Sequence, residues 1–298
     1  MSDVYKRYIG RYAPSRSDVV VRKLPINAKI EVESFAVKTG FPRLQVAADA
    51  LHGTSSAVVA GPTVFLSSAS SSEGALAAQA NAALAQLEAT LKTAGKSLAS
   101  VSKFDAYVSA SEDPGVVVKA ITELVKARGA PRVPAISVVF SASLPDGILV
   151  EIAGLASSSA QTRAIQVDGS SDASDATTHV DGTVFVGGQY ASKVHASISD
   201  ETEELLQTLS KVIETSGNSL ADVAKVNIFM DSMGDYGDIN KVYAKYFASN
   251  GVEPPARAAV EVHHLPEGRR IAIECIVAGT APAISDSEVG THQKELRN

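Results

Sequence analysis

The sequence predicts an α+β protein made of tandem copies of one domain. Three observations carry this reading. A pattern recurs three times about 120 residues apart: Pro14-Ser-Arg16, Leu24-Pro25 and Ile-Glu-Val-Glu33; Pro134-Ala-Ile136, Leu144-Pro145 and Val-Glu-Ile-Ala153; Pro255-Ala-Arg257, Leu265-Pro266 and Ile-Ala-Ile-Glu274. Two of the copies repeat one order of short apolar runs and helical stripes. The chain is 298 residues long and 45% apolar, enough for two domains with sizeable cores. Repeats of this length suit duplicated domains and are too long for solenoid units.

The last copy, 163–280, is the clearest. Thr183-Val-Phe-Val runs as a buried strand into Gly187-Gly188-Gln189. Leu205, Leu206, Leu209, Val212 and Ile213 recur at helical spacing, and Gly217 follows as a C-cap. Residues 223–230 read as a strand. Residues 236–249 read as a helix whose stripe is Ile239, Val242, Tyr243, Tyr246 and Phe247. Residues 257–264 and 269–278 read as two strands around Leu-Pro-Glu-Gly, a turn with hairpin chemistry.

The middle copy, 44–157, repeats this order. Thr63-Val-Phe-Leu is its strand, and Leu76, Ala80, Leu84, Leu87 and Leu91 form a helix stripe ended by Gly95. A strand over 102–109, a helix over 116–128, and paired strands over 133–141 and 148–156 follow. The order β-β-α-β-α-β-β is an α+β domain with helices on one sheet face.

The first copy, 1–40, holds only a rear half. Val4-Tyr-Lys-Arg-Tyr8 matches Val242-Tyr-Ala-Lys-Tyr246, and two strands are expected after it. It reads either as a natural half-domain or as the remainder of a third copy. A half-sheet cannot bury its own apolar face, so it must pack on the rest of the chain or on another chain. Residues 281–298 read as a flexible tail.

The Arg and the Glu of the repeated pattern vanish together from the middle copy, which marks them as a pair. Arg257 and Glu274, with Arg16 and Glu33, are therefore the candidate functional residues. A guanidinium fork grips a carboxylate bidentately. Hairpin pairing would bring Arg257 and Glu274 to one end of the sheet, where a carboxylate can position a water as general base. An ion pair between adjacent strands is the structural alternative. Gly187 and Gly188 would allow a ligand close to the backbone.

These residues resemble the RidA/YjgF family of reactive-intermediate deaminases, also labelled endoribonuclease L-PSP. The resemblance rests on Asn240-Lys-Val-Tyr-Ala-Lys-Tyr-Phe, Pro255-Ala-Arg257-Ala-Ala-Val-Glu-Val, Leu265-Pro266, Ile-Ala-Ile-Glu274 and the Gly187-Gly188-Gln189 element. It implies a chorismate-mutase-like fold and a pseudo-trimeric assembly with clefts between copies. It also implies cofactor-free hydrolysis of enamines and imines such as 2-aminoacrylate and 2-iminobutanoate to 2-oxo acids and ammonia. By position, Arg257 would bind the substrate carboxylate and Glu274 would handle water. Asn240, Gly187 and Gly188 would line the cleft, and Arg16 and Glu33 would repeat the first two roles. Departures from the family are Asp175-Ala-Thr-Thr near the place of its usual Tyr element, Ala259 for a frequent Cys, and Ser67-Ser68-Ala69 in the middle copy. That copy is expected to be catalytically dead.

The remaining chemistry is sparse. The net charge of −6 disfavours a phosphate-tracking surface, and with it RNA cleavage. The single Cys275 excludes an intramolecular disulfide and reads as an inert core thiol; with no apolar run of membrane length and no secretory leader, a cytoplasmic setting is expected. No cluster has metal-ligand spacing. The leading expectation is a hydrolytic deaminase acting on a small carboxylate-bearing imine, probing no nucleic acid, forming a homo-oligomer and using no metal or cofactor. A non-catalytic carboxylate-binding or scaffold protein is the alternative.

Overall fold

The computed structural model describes residues 2–9, 13–37, 40, 43–49, 54–157, 162–167, 173–179 and 182–279. Helix α1 is Ser2–Ile9. The middle copy follows as β1 (Arg43–Asp49), β2 (Thr54–Ala60), β3 (Thr63–Ser70), α2 (Leu76–Thr93), β4 (Val101–Ser109), α3 (Pro114–Ala127), β5 (Val133–Ser141) and β6 (Val150–Ser157). The last copy is β7 (Thr162–Ile165), β8 (Ala173–Ser174), β9 (Ala176–His179), β10 (Thr183–Tyr190), α4 (Ile198–Thr215), β11 (Val223–Met230), α5 (Tyr236–Ser249), β12 (Ala256–Glu261) and β13 (Ile271–Ala278). The 281–298 tail lies outside the described residues.

Each full copy is one sheet covered on one face by two helices. The orders are β1-β2-β3-β6-β4-β5-β8 and β12-β11-β13-β10-β9-β7. The helix stripes read from sequence fill the two cores. Leu84, Leu87, Leu91 and Ile121 are fully sealed in one, and Leu205, Leu209, Ile213 and Phe247 in the other. Gly95 and Gly217 take φ of +71° and +86° after their helices, the left-handed turn that favours glycine.

Two strand expectations are corrected. β12 and β13 do not form a hairpin: β11 lies between them, parallel to β12 and antiparallel to β13. β4 separates β5 from β6 in the same way. The Leu-Pro-x-x segment is thus a crossing connection. Its turn puts Glu267 at φ 56° and, in the first copy, Ile26 at φ 53°. The first copy's two expected strands are also not ladders; residues 13–37 run extended, with single bridges at Val20 and Lys23. The physical reason is that residues 1–40 carry no counterpart of β11 for them to pair with.

The three copies close on one another. Ala142 N donates to Val20 O at 2.9 Å, His263 N to Phe140 O at 3.1 Å, and Arg22 N to Glu261 O at 2.8 Å. The donors 22, 142 and 263 and the acceptors 20, 140 and 261 each stand 120 and 121 residues apart. One hydrogen bond is therefore repeated around a pseudo-threefold axis, and the half-copy supplies its third corner. Val139, Val262, Leu265 and Ala272 bury an apolar cluster beside it. Strand β8 of the last copy extends the middle copy's sheet by pairing with β5.

Candidate functional site: seams between copies

Strand register separates the residues that the sequence placed together. Arg257 lies opposite Val226, which lies opposite Cys275; Glu274 lies opposite Asn227. Directly opposed residues share a face and successive ones alternate. Val226 and Cys275 belong to the core under the helices, so Arg257 faces α5 while Glu274 faces the middle copy. The pair expected from the repeat pattern points to opposite sides of one sheet. Cys275 is sealed, and burial pushes its thiol pKa up, as an inert core thiol requires.

Glu274 is locked in a buried polar cluster between copies. Its Oε2 accepts from Lys103 Nζ at 2.8 Å and from Ser137 Oγ; its Oε1 accepts from Asn227 Nδ2 at 2.9 Å. Lys103, itself 4% exposed, also binds Asp105. Burial works against the carboxylate, but Lys103 and the hydrogen bonds hold the Glu274 pKa below its ordinary value. Burial raises Asp105 to about 6, with Lys103 opposing it. Glu33 occupies the equivalent place in the next seam, facing Lys225, whose pKa burial lowers to about 8. Lys103 and Lys225 are repeat-equivalent, as are Glu274 and Glu33. The first copy holds no such lysine, and the acid that would meet it is Ala153. Glu33 and Glu274 thus each form an ion pair between copies.

The arginines have a different environment. The Arg257 guanidinium carbon lies 4.8 Å from the centroid of the Tyr243 ring and 5.9 Å from that of Tyr236. Asn240 stands between these tyrosines on the same face of α5, three and four residues from each. Asn240 Oδ1 and Tyr243 Oη are buried without a hydrogen-bond partner. The structure therefore brings Arg257 and Asn240 to one place. It puts Gly187 and Gly188 elsewhere, against the middle copy. A Cβ on Gly187 would come 3.0 Å from Ile136 O and 3.2 Å from its N. Gly187 is needed for close packing of two backbones.

Arg16 repeats the Arg257 arrangement in the seam between the half-copy and the middle copy. Its guanidinium carbon lies 4.8 Å from the centroid of the Tyr5 ring. Its backbone N donates to Ser67 Oγ at 2.8 Å, its Nη2 meets Asp18 at 2.8 Å, and its Nη1 is buried without a partner. The middle copy contributes Glu151, which is hydrogen-bonded to Ser68. Burial raises the Glu151 pKa; Ser68 opposes that, and the charge of Asp18 adds to it. An arginine and a half-buried carboxylate thus line this seam, one from each copy, with Asp18 paired to the arginine and its charge acting on the carboxylate.

Glu151 was not among the residues singled out in the sequence. The signal was present. Glu31 and Glu151 occupy one repeat position, and Ala272 is its third member. The arginine position reads Arg16, Ile136, Arg257. The seam between middle and last copies pairs Ile136 with Ala272, so its arginine and its acid are lost together.

The comparisons with known proteins agree with the tandem α+β organisation. The sequence matches the family described as Endoribonuclease L-PSP over 45–158 and again over 171–279. It is 38% identical over 99 residues to a RutC family protein of Pyrococcus horikoshii, covering 31% of this chain and 76% of that protein. It is 38% identical over 104 residues to Protein HMF1 of Saccharomyces cerevisiae, covering 33% and 78%. It is 33% identical over 103 residues to the 2-iminobutanoate/2-iminopropanoate deaminase of Rattus norvegicus, covering 33% and 73%. The chain belongs to the Endoribonuclease L-PSP family, of which it holds two matching domains in tandem.

Proposed function

We propose that the protein hydrolyses small carboxylate-bearing enamines and imines, of the 2-aminoacrylate and 2-iminobutanoate type, at the seam between the half-copy and the middle copy. The observation that supports this reading is the presence at one seam of Arg16, with its buried unpartnered Nη1, and of the raised-pKa Glu151 of the adjoining copy, with Asp18 acting on both. The names of similar proteins supply the substrate class: relatives in rat, human and Dermatophagoides farinae at 30–36% identity are imine deaminases.

In this reading Arg16, held on Tyr5, binds the substrate carboxylate and fixes its orientation. The enamine tautomerises to the imine. Glu151 takes a proton from water as the oxygen attacks the imine carbon, giving a carbinolamine. The nitrogen is protonated, the C–N bond breaks, and ammonia leaves a 2-oxo acid. Each turnover consumes one water and needs no redox partner. Imines hydrolyse readily in water, so orientation and one base suffice. Arg257 with Asn240 is a second carboxylate anchor, but β12 is the edge of its sheet among the described residues and lacks the wall that the middle copy gives Arg16. A homo-oligomer remains the companion expectation; exposed Ile30, Val32 and Phe35 on the half-copy support it, and the mass in solution by light scattering tests it.

The test is release of ammonia and 2-oxo acid from 2-aminoacrylate generated in situ. Arg16→Ala and Glu151→Gln should each lower kcat/KM by about 10²-fold or more, and Arg257→Ala by less. If Arg16→Ala and Glu151→Gln match the unaltered protein, the seam is not the active site. If the unaltered protein releases nothing above the uncatalysed rate, the hydrolytic reading fails and carboxylate binding remains.

A further inference from the structure

The seam between the middle and last copies has lost more than Ile136 and Ala272. Repeat-equivalent to Tyr243, under Arg257, is Ile121; equivalent to Tyr236, on its other side, is Pro114. An arginine, two tyrosines and a glutamate have become isoleucine, isoleucine, proline and alanine. Charge has gone and so has side-chain volume.

What those losses leave is a cleft of about 1260 Å³. Ile136, Val138 and Phe140 line it from the middle copy, and Gly188 and Tyr190 from the last. His264 stacks on Phe140 with ring centroids 3.8 Å apart. Tyr190 is anchored, its Oη donating to Val138 O at 3.1 Å. Thr122 is 7% exposed, lines the cleft, and its Oγ1 has no hydrogen-bond partner. A buried hydroxyl without a partner is costly unless a ligand or water satisfies it. The lysines of α3 do not replace the lost arginine. Lys119 sits 3.8 Å from Glu123 with both side chains largely exposed, and Lys126 is also engaged. A carboxylate entering the cleft would be stripped of water with no cation at depth to meet it.

We propose that this cleft is a second ligand site. It takes a small uncharged molecule with an apolar ring or chain and one hydrogen-bonding group, which pairs with the Thr122 hydroxyl. With Ala272 in place of an acid, the site binds its ligand without turning it over. The inference rests on the middle–last seam alone and stands apart from the hydrolytic reading of the Arg16 seam.

The experiment titrates the full chain with a matched pair of probes, benzyl alcohol and benzoate, followed by NMR of the probe. Benzyl alcohol should saturate and bind at least about tenfold more tightly than benzoate, because only the carboxylate pays for burial of a charge. Thr122→Val should weaken benzyl alcohol about fivefold, the loss of one neutral hydrogen bond. Thr122→Tyr, which fills the cleft with an aromatic ring, should abolish binding. Ile136→Arg should reverse the preference toward benzoate. Arg16→Ala should change nothing, which separates this cleft from the Arg16 seam. Circular dichroism confirms that each variant folds, and Thr122→Tyr decides the matter should Ile136→Arg not fold. Failure of benzyl alcohol to saturate, equal affinity for the two probes, or binding that survives Thr122→Tyr each overturns the proposal.

Discussion

The seam between half-copy and middle copy and the seam between middle and last copies are built from repeat-equivalent segments, yet they carry opposite chemistry. The first is lined by Arg16 on Tyr5 and by Glu151, with Asp18 acting on both. The second offers Ile136, Ile121 and Ala272 at the same places. The middle copy takes part in both, giving the acid to one and the isoleucine to the other. Residues in this chain are therefore kept or lost by seam, and the copy is the wrong unit in which to count them. The lysine–glutamate pairs obey the same rule. Lys103 with Glu274 and Lys225 with Glu33 each join two copies, and the seam without a lysine has Ala153.

The largest expected effect comes from breaking one of those inter-copy pairs. Lys103→Ala leaves Glu274 and Asp105 buried without their cation and should cost about 3–5 kcal/mol, read from the denaturation midpoint. Lys103→Met with Glu274→Leu removes both charges and should recover much of that loss. If the single and double variants lose the same stability, the pair is not what holds the seam.

Next in size is the contrast between the arginines under turnover. Arg16→Ala should lose about 10²-fold in kcat/KM, and Ile136→Ala should leave that reaction unchanged. Equal losses would mean that the two seams share one function.

A smaller effect separates the two glycines. Gly187→Ala should cost about 1–3 kcal/mol, because its Cβ meets Ile136 backbone and the two sheets must part. Gly188→Ala has 3.5 Å to its nearest neighbour and should cost about 1 kcal/mol or less. Thermal unfolding of both variants checks the difference.

The smallest effect is on pH dependence. Burial first, and the Asp18 charge last, raise the Glu151 pKa, while Ser68 opposes them. Its carboxylate therefore forms at higher pH than an ordinary glutamate, and as general base it works only above that pKa. The acid limb of kcat/KM should lie above the usual carboxylate range. Asp18→Asn removes a repulsive charge, so the limb should move to lower pH. A limb that stays in place would show that Asp18 does not act on the base.

Much of the fold was legible because periodicity and punctuation are local. The helix over 236–249 and the strand over 223–230 follow from their apolar spacing, and Gly95 and Gly217 mark where two helices stop. Leu-Pro-Glu-Gly misled because a turn motif says that the chain reverses, and nothing about which strand slides in between. β11 did so, and Arg257 and Glu274 parted to opposite faces. Gly187 looked like room for a ligand; its neighbour is the backbone of another copy.

The sequence by itself determined the repeats, their α+β order, the two arginines that each follow a tyrosine-bearing helix and the loss of charge in the middle copy. These are carried by spacing along one chain, which folding does not alter. Only the tertiary structure decided which arginine meets which acid. The seams join residues from different copies, such as 16 with 151 and 103 with 274, and contacts at that separation depend on how sheets close around an axis. Register and neighbouring copy together set what each acid meets, so that Glu274 lies in a buried ion pair while Glu151 lies half-buried beside Ser68.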